Sequence, residues 1–93
     1  MIVRRDLPIG VKAAMIAHAA GESGPAPNGT YAIVLTTADE ASLRSLDQQM
    51  KHIQHVLITE SDFPYEGQAM AIGALVRDRG GIRKLTSSLP LLK

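Results

Sequence analysis

Three groups of ionisable residues in this chain have the types and placement to do chemistry. His18 stands in the small apolar run Ala17-His18-Ala19-Ala20. Glu60 and Asp62 follow the β-type run Val56-Leu57-Ile58. Arg4, Arg5 and Asp6 follow the apolar pair Ile2-Val3. Imidazole and carboxylate groups transfer protons in general acid–base steps. Glu60 and Asp6 each follow a predicted strand. If those two strands are parallel, both acids lie on one edge of the sheet, the edge where open α/β sheets place ligands. The helix that follows Pro8-Ile9-Gly10 begins at the same edge, with Lys12 in its first turn. Helix N-termini favour anions, so this edge joins proton-transfer groups to an anion-binding element.

Other chemistries find no support. The sequence has no G-x-G-x-x-G, no P-loop and no nucleophile elbow. With no Cys, it has neither a disulfide nor a thiolate metal site. His52 and His55 span a helix end and a strand start, so they read as surface residues, and no metal or cofactor is expected. The net charge of +1 hides an asymmetry. Between Val76 and Lys93, Arg77, Arg79, Arg83, Lys84 and Lys93 are set against the single acid Asp78. This segment is either a solvated C-terminal loop or a phosphate-contacting patch, with Arg79 and Arg83 its candidate binding residues.

The elements that must position these groups follow from the hydrophobic pattern. The chain has 93 residues, the size of a single domain spanning 1–93. Hydrophobic residues make up 45% and aromatics only 3%, so the core is built from aliphatic side chains. The pattern predicts a strand over residues 1–4 and a helix over about 10–20, stopped by Gly21. On that helix Val11, Ala14, Met15 and His18 share one face. Residues 22–29 are rich in turn formers and read as a loop. Residues 31–35 form a continuous apolar run that suits a central strand. Thr37 and Glu40 have capping-box spacing for a second helix over about 38–52. Leu43, Leu46, Met50 and Ile53 form its buried stripe, and Asp47 and Lys51 pair on its outside. Strands follow over 55–59 and 69–76, then helical turns over 82–88. Gly73 inside the last strand marks a bulge or a close backbone approach. The order β-α-β-α-β-β implies an α/β domain with parallel βαβ units. The final link is too short for a crossover, so strand four is antiparallel to strand three and the four-stranded sheet is mixed, flanked by helices.

Such a short chain buries a modest fraction of its surface, which favours a homodimer. The charged N-terminus does not read as a signal peptide, and no run approaches membrane-spanning length. The expectation is a cytoplasmic protein with no membrane contact.

The motif Asp6-Leu7, Gly10, Ala13-Ala14 and His18-Ala19 resembles the opening of the type 2 (archaeal and eukaryotic) peptidyl-tRNA hydrolase family, in a divergent short form. Ile58-Thr59-Glu60 resembles the strand end that carries the family's acid. Ala71-Ile72-Gly73 resembles its last strand, and Leu91-Leu92-Lys93 its leucine-rich C-terminus. The resemblance implies a four-stranded mixed sheet flanked by helices, and hydrolysis of the ester joining a peptide to the 3′ end of tRNA. It also implies tRNA as a partner, a dimer, and no obligatory metal. It places catalysis on His18, Glu60 and Lys12, with Arg4, Asp6, Asp62, Arg79 and Arg83 toward the substrate. The chain departs from the family at particular positions. Val11 stands where the family has its lysine, and Lys12 lies about 100° around the helix from it. Met15 stands where the family has a glutamine, and Glu60 is one methylene longer than the family's Asp. The Gly-Arg-Thr-Gln run after the acid is absent, and that loop is about six residues shorter. The alternative is a non-catalytic relative that binds RNA, an anion or a protein.

Overall fold

A computed structural model describes residues 1–26, 28, 32–76 and 80–92. The chain runs β1 (Ile2–Arg4), α1 (Ile9–Glu22), β2 (Leu35–Thr37), α2 (Glu40–Gln49), β3 (Val56–Thr59), β4 (Ala69–Gly73) and α3 (Gly80–Thr86). The four strands form one mixed sheet in the order β2-β1-β4-β3. β1 is parallel to β2, and β4 is antiparallel to both β1 and β3. β1 and β3 therefore run the same way, so Asp6 and Glu60 do share one sheet edge. Among the described residues no helix is long and apolar enough to cross a membrane.

Strand alternation sorts the core into two faces. Val3, Ile58, Met70 and Ala71 pack with Met15 and Ala19 of α1. Ile2, Ala69 and Ile72 pack with Leu43, Leu46 and Met50 of α2. Met70 and Ala71 are neighbours yet share a face because the β3–β4 register shifts between Ile58 and Thr59. Ile58 pairs with Ala71 and Thr59 with Ala69, which leaves Met70 as the extra residue of a β-bulge. All of β4 is buried, so this strand is the centre of the domain.

Gly73 is a close-approach glycine. A Cβ there would overlap Ser23 Oγ and the Ala19 carbonyl, so the C-terminal turn of α1 lies directly on the strand. Ser23 closes that turn, its N–H and its hydroxyl both donating to the Ala19 carbonyl at 3.0 and 2.6 Å. The helix therefore runs past Gly21 to Glu22, and the left-handed glycine that follows is Gly24, with φ 97°. The buried stripe of α1 is Met15 and Ala19, with Val11 and Ile16 half-buried beside it. Ala14 and His18, expected on that face, are exposed.

β2 corrects two expectations. It starts at Leu35, where the apolar run was expected to end; Tyr31, at the start of that run, lies outside the described residues. It is also the outer strand next to β1 rather than a central one. Its outer side is covered by residues 90–92, through Thr36 N–H to the Pro90 carbonyl (2.8 Å) and Leu92 N–H to the Val34 carbonyl (3.0 Å). Thr37 belongs to this strand, so it does not cap α2. Asp39 caps it instead, accepting from Ser42 N–H at 2.9 Å. The Thr37 hydroxyl is buried and has no hydrogen-bond partner among the described residues, a state that costs about 1–3 kcal/mol. α2 ends at Gln49, and the expected Asp47–Lys51 pair is replaced. Asp47 meets His55 Nε2 at 2.7 Å, while His55 Nδ1 lies 2.6 Å from the Ile53 carbonyl. His55 is thus a half-buried clasp between α2 and β3 rather than a surface residue.

Candidate functional site

The carboxyl edge of the sheet is built around Arg4. This is the last residue of β1 and is only 7% exposed. Its Nε and Nη2 donate to the two Asp6 carboxylate oxygens, both at 2.9 Å. Its Nη1 donates to Gln68 Oε1 at 2.7 Å and to the Ala69 carbonyl at 3.3 Å. The bond from Arg4 holds the Asp6 carboxyl below the usual carboxylate range, and the same contact raises the guanidinium further. Arg4 and Asp6 therefore pair with each other. Their role is positional, because Gln68 closes the loop that starts at Glu60. Glu60 N–H donates to the Gln68 carbonyl at 3.0 Å, and Gly67 N–H donates to the Glu60 carbonyl at 2.8 Å. From the other side Arg44 of α2 donates to the Gly67 carbonyl at 2.9 Å and to Glu40 at 3.0 Å. Ala69 N–H donates to the same Glu40 oxygen at 2.8 Å, and this bond leads the causes that hold the Glu40 carboxyl below its usual range.

The loop so anchored presents Glu60. Its Oε1 accepts from Ser61 N–H at 2.8 Å and from Asp62 N–H at 3.2 Å, which fixes the carboxylate orientation. Across from it runs the exposed side of α1. His18 and Glu22 of α1, with Thr59, Glu60 and Ser61 at the end of β3, line a cleft of about 200 Å³. Its floor is apolar, formed by Met15 and Ile58. The cleft can hold a small polar group between an imidazole and an oriented carboxylate, the minimum for a proton-transfer pair.

The structure thus brings together two of the expected catalytic residues and leaves out the third. Lys12 lies in the first turn of α1, half-buried, and lines neither this cleft nor the larger one by α2. Asp62 is exposed in the loop, outside the cleft, and contributes its N–H to Glu60. Arg83 and Lys84 are exposed on α3, away from the cleft. Arg79, with Arg77, Asp78 and Lys93, lies outside the described residues. No family model and no curated protein matches this chain. Glu22 was not singled out from sequence, although its position four residues after His18 puts both on one helix face. No group of three or more potential metal ligands occurs among the described residues.

Proposed function

We propose that this protein is an ester hydrolase of the peptidyl-tRNA hydrolase type, working in the cleft between α1 and the end of β3. The observation that supports the reading is that His18 and Glu60 line the same cleft. These are the two positions at which the family resemblance keeps its chemistry. Glu60 takes a proton from water, whose oxygen attacks the carbonyl carbon of the ester. The bond from that carbon to the ribose oxygen breaks, and His18 returns a proton to the leaving oxygen. With Lys12 outside the cleft, the hydroxyls of Thr59 and Ser61, two lining residues, are the neutral donors offered to the developing oxyanion. The test is hydrolysis of an N-acylated aminoacyl-tRNA by the purified protein and by two variants. His18→Ala and Glu60→Gln should each cut turnover by about a hundredfold. His18 is exposed, so its variant should keep the parent's thermal stability. No hydrolysis by the parent, or unchanged turnover in both variants, refutes the assignment.

A second reading is a non-catalytic module of the same fold that binds RNA. It is favoured by Val11 at the lysine position and by Lys12 lying outside the cleft. Arg83 and Lys84 on α3 would then contact phosphates, and tRNA binding without hydrolysis would weaken steeply with salt. In both readings the protein is a homodimer, which sedimentation at tens of micromolar, roughly the range of a weak dimer, would detect.

A further inference from the structure

The two outer strands of the sheet are finished differently. β2 has residues 90–92 hydrogen-bonded along its outer side. β3 pairs only with β4 among the described residues, so its other side is open. Glu60 N–H donates toward β4, to the Gln68 carbonyl, and the extra residue of the bulge lies on β4. Alternation along β3 then turns the N–H and C=O groups of Leu57 and Thr59 to the open side. Edge strands are usually blunted by a charge, a proline or a bulge of their own. β3, Val56-Leu57-Ile58-Thr59, has none of these. Its apolar cover is also incomplete, since Val56 on the α1 face and Leu57 on the α2 face are only half-buried. The charges at its two ends are opposite. Lys51 stands before it and Glu60 and Asp62 after it, and none of the three makes an ion pair among the described residues.

We propose that β3 pairs antiparallel with β3 of a second copy across a two-fold axis, joining two four-stranded sheets into one. The inference rests on the homodimer proposed above and names its interface; it does not depend on ester hydrolysis. An open strand paired antiparallel with itself is self-complementary, each copy offering the N–H and C=O groups of Leu57 and Thr59. Charge selects the direction. Antiparallel pairing sets the Lys51 flank of one copy toward the Glu60–Asp62 flank of the other, twice over, whereas parallel pairing sets like charges side by side. Phe63, 91% exposed, stands in the loop that continues from β3, on the flank turned to the partner. Interfaces are enriched in such aromatic side chains. The pairing also covers the half-buried Val56 and Leu57. A four-residue strand makes a short contact, so the dimer is a weak one. Because residues 90–92 cover β2, assembly stops at two copies.

Sedimentation equilibrium from about 1 to about 200 μM protein measures the dimer constant of the parent and three variants. Thr59→Pro removes an N–H that faces the open side, where an edge strand tolerates proline. Its monomer should keep the parent's circular dichroism while the dimer weakens at least about tenfold. Lys51→Glu, at an exposed position, turns two symmetry-related attractions into repulsions and should weaken the dimer about tenfold. Lys51→Glu combined with Asp62→Lys exchanges the charges and should return the constant to within about threefold of the parent's. If Thr59→Pro does not fold, the two charge variants still decide. A parent that stays monomeric throughout overturns the homodimer together with its interface. A parent dimer that is unchanged in Lys51→Glu, or is not restored by the charge exchange, overturns the interface alone. Species larger than a dimer overturn the closed two-fold pairing.

Discussion

Replacing Arg4 by Met separates a structural anchor from a substrate ligand. The substitution keeps the apolar stem and removes the guanidinium. With it go two hydrogen bonds to Asp6, one each to Gln68 and the Ala69 carbonyl, and a weaker one to Met70 Sδ. An exposed ion pair is worth about 0–1 kcal/mol, whereas breaking a buried one costs about 3–5 kcal/mol. Here the Arg4 side chain is 8% exposed and the Asp6 side chain 41%. Asp6 regains water when Arg4 is lost, so the expected cost lies between the two limits, at about 2–3 kcal/mol. For a domain of this size that lowers the thermal midpoint by roughly 10–20 °C. Urea denaturation of Arg4→Met, Asp6→Asn and the double variant gives the coupling, expected to exceed about 1 kcal/mol. Amide shifts should spread through residues 60–68, because Gln68 closes the loop that carries Glu60. If Arg4 instead held substrate phosphate, Arg4→Met would keep the parent's stability within about 0.5 kcal/mol and only raise KM. That result would refute the anchoring role.

Gly73→Ala should destabilise by about 3 kcal/mol or more, the upper range for overpacking against backbone. Ser23→Ala should restore only part of it, because the Ala19 carbonyl still blocks the added methyl; full rescue in a denaturation experiment would contradict this packing. Acid should destabilise the protein in a specific window. The carboxyls of Asp6, Asp39 and Glu40 are all held below their usual range, led respectively by the bonds from Arg4, Ser42 N–H and Ala69 N–H. Their folded values lie below the unfolded ones, so their stabilisation is complete above the ordinary carboxylate range. It is lost as pH falls through the folded values, below about pH 4. Stability measured from about pH 6 down to about pH 2 should fall less steeply in Glu40→Gln. An identical acid slope would remove Glu40 from that account.

Much of the fold was legible because its signals are local. The apolar runs at Ile2-Val3, Val56-Leu57-Ile58 and around Met70 became strands, and the short last link made β4 antiparallel to β3. Leu43, Leu46 and Met50 kept their helical stripe. β2 was misplaced for a reason that lies far away in sequence. Leu35-Thr36-Thr37 is ordered between β1 and residues 90–92, and no local pattern announces a tail returning to cover an outer strand. The same pairing took Thr37 out of the helix cap and left the role to Asp39.

The site divides along the same line. His18 and Glu60 were readable as ionisable residues next to an apolar helix face and a strand end, but their sharing of one cleft depends on how α1 packs against β3, which no local pattern gives. The partners of Arg4 could not be read from sequence. An arginine after a strand has the same appearance whether it awaits an anion or is already paired. Only the tertiary contact with Gln68 decides, since it turns Arg4 toward the base of the Glu60–Gln68 loop. Lys12 lies outside the lining of the cleft, and so does Val11 one residue before it, which packs against the core instead. The proposed hydrolysis would then proceed without Lys12, and the orientation of Glu60 by two backbone N–H groups takes on greater weight in it. Because the Arg4–Gln68 contact holds that loop in place, the anchor at the end of β1 and the loop that brings Glu60 to the cleft beside α1 are one mechanical unit.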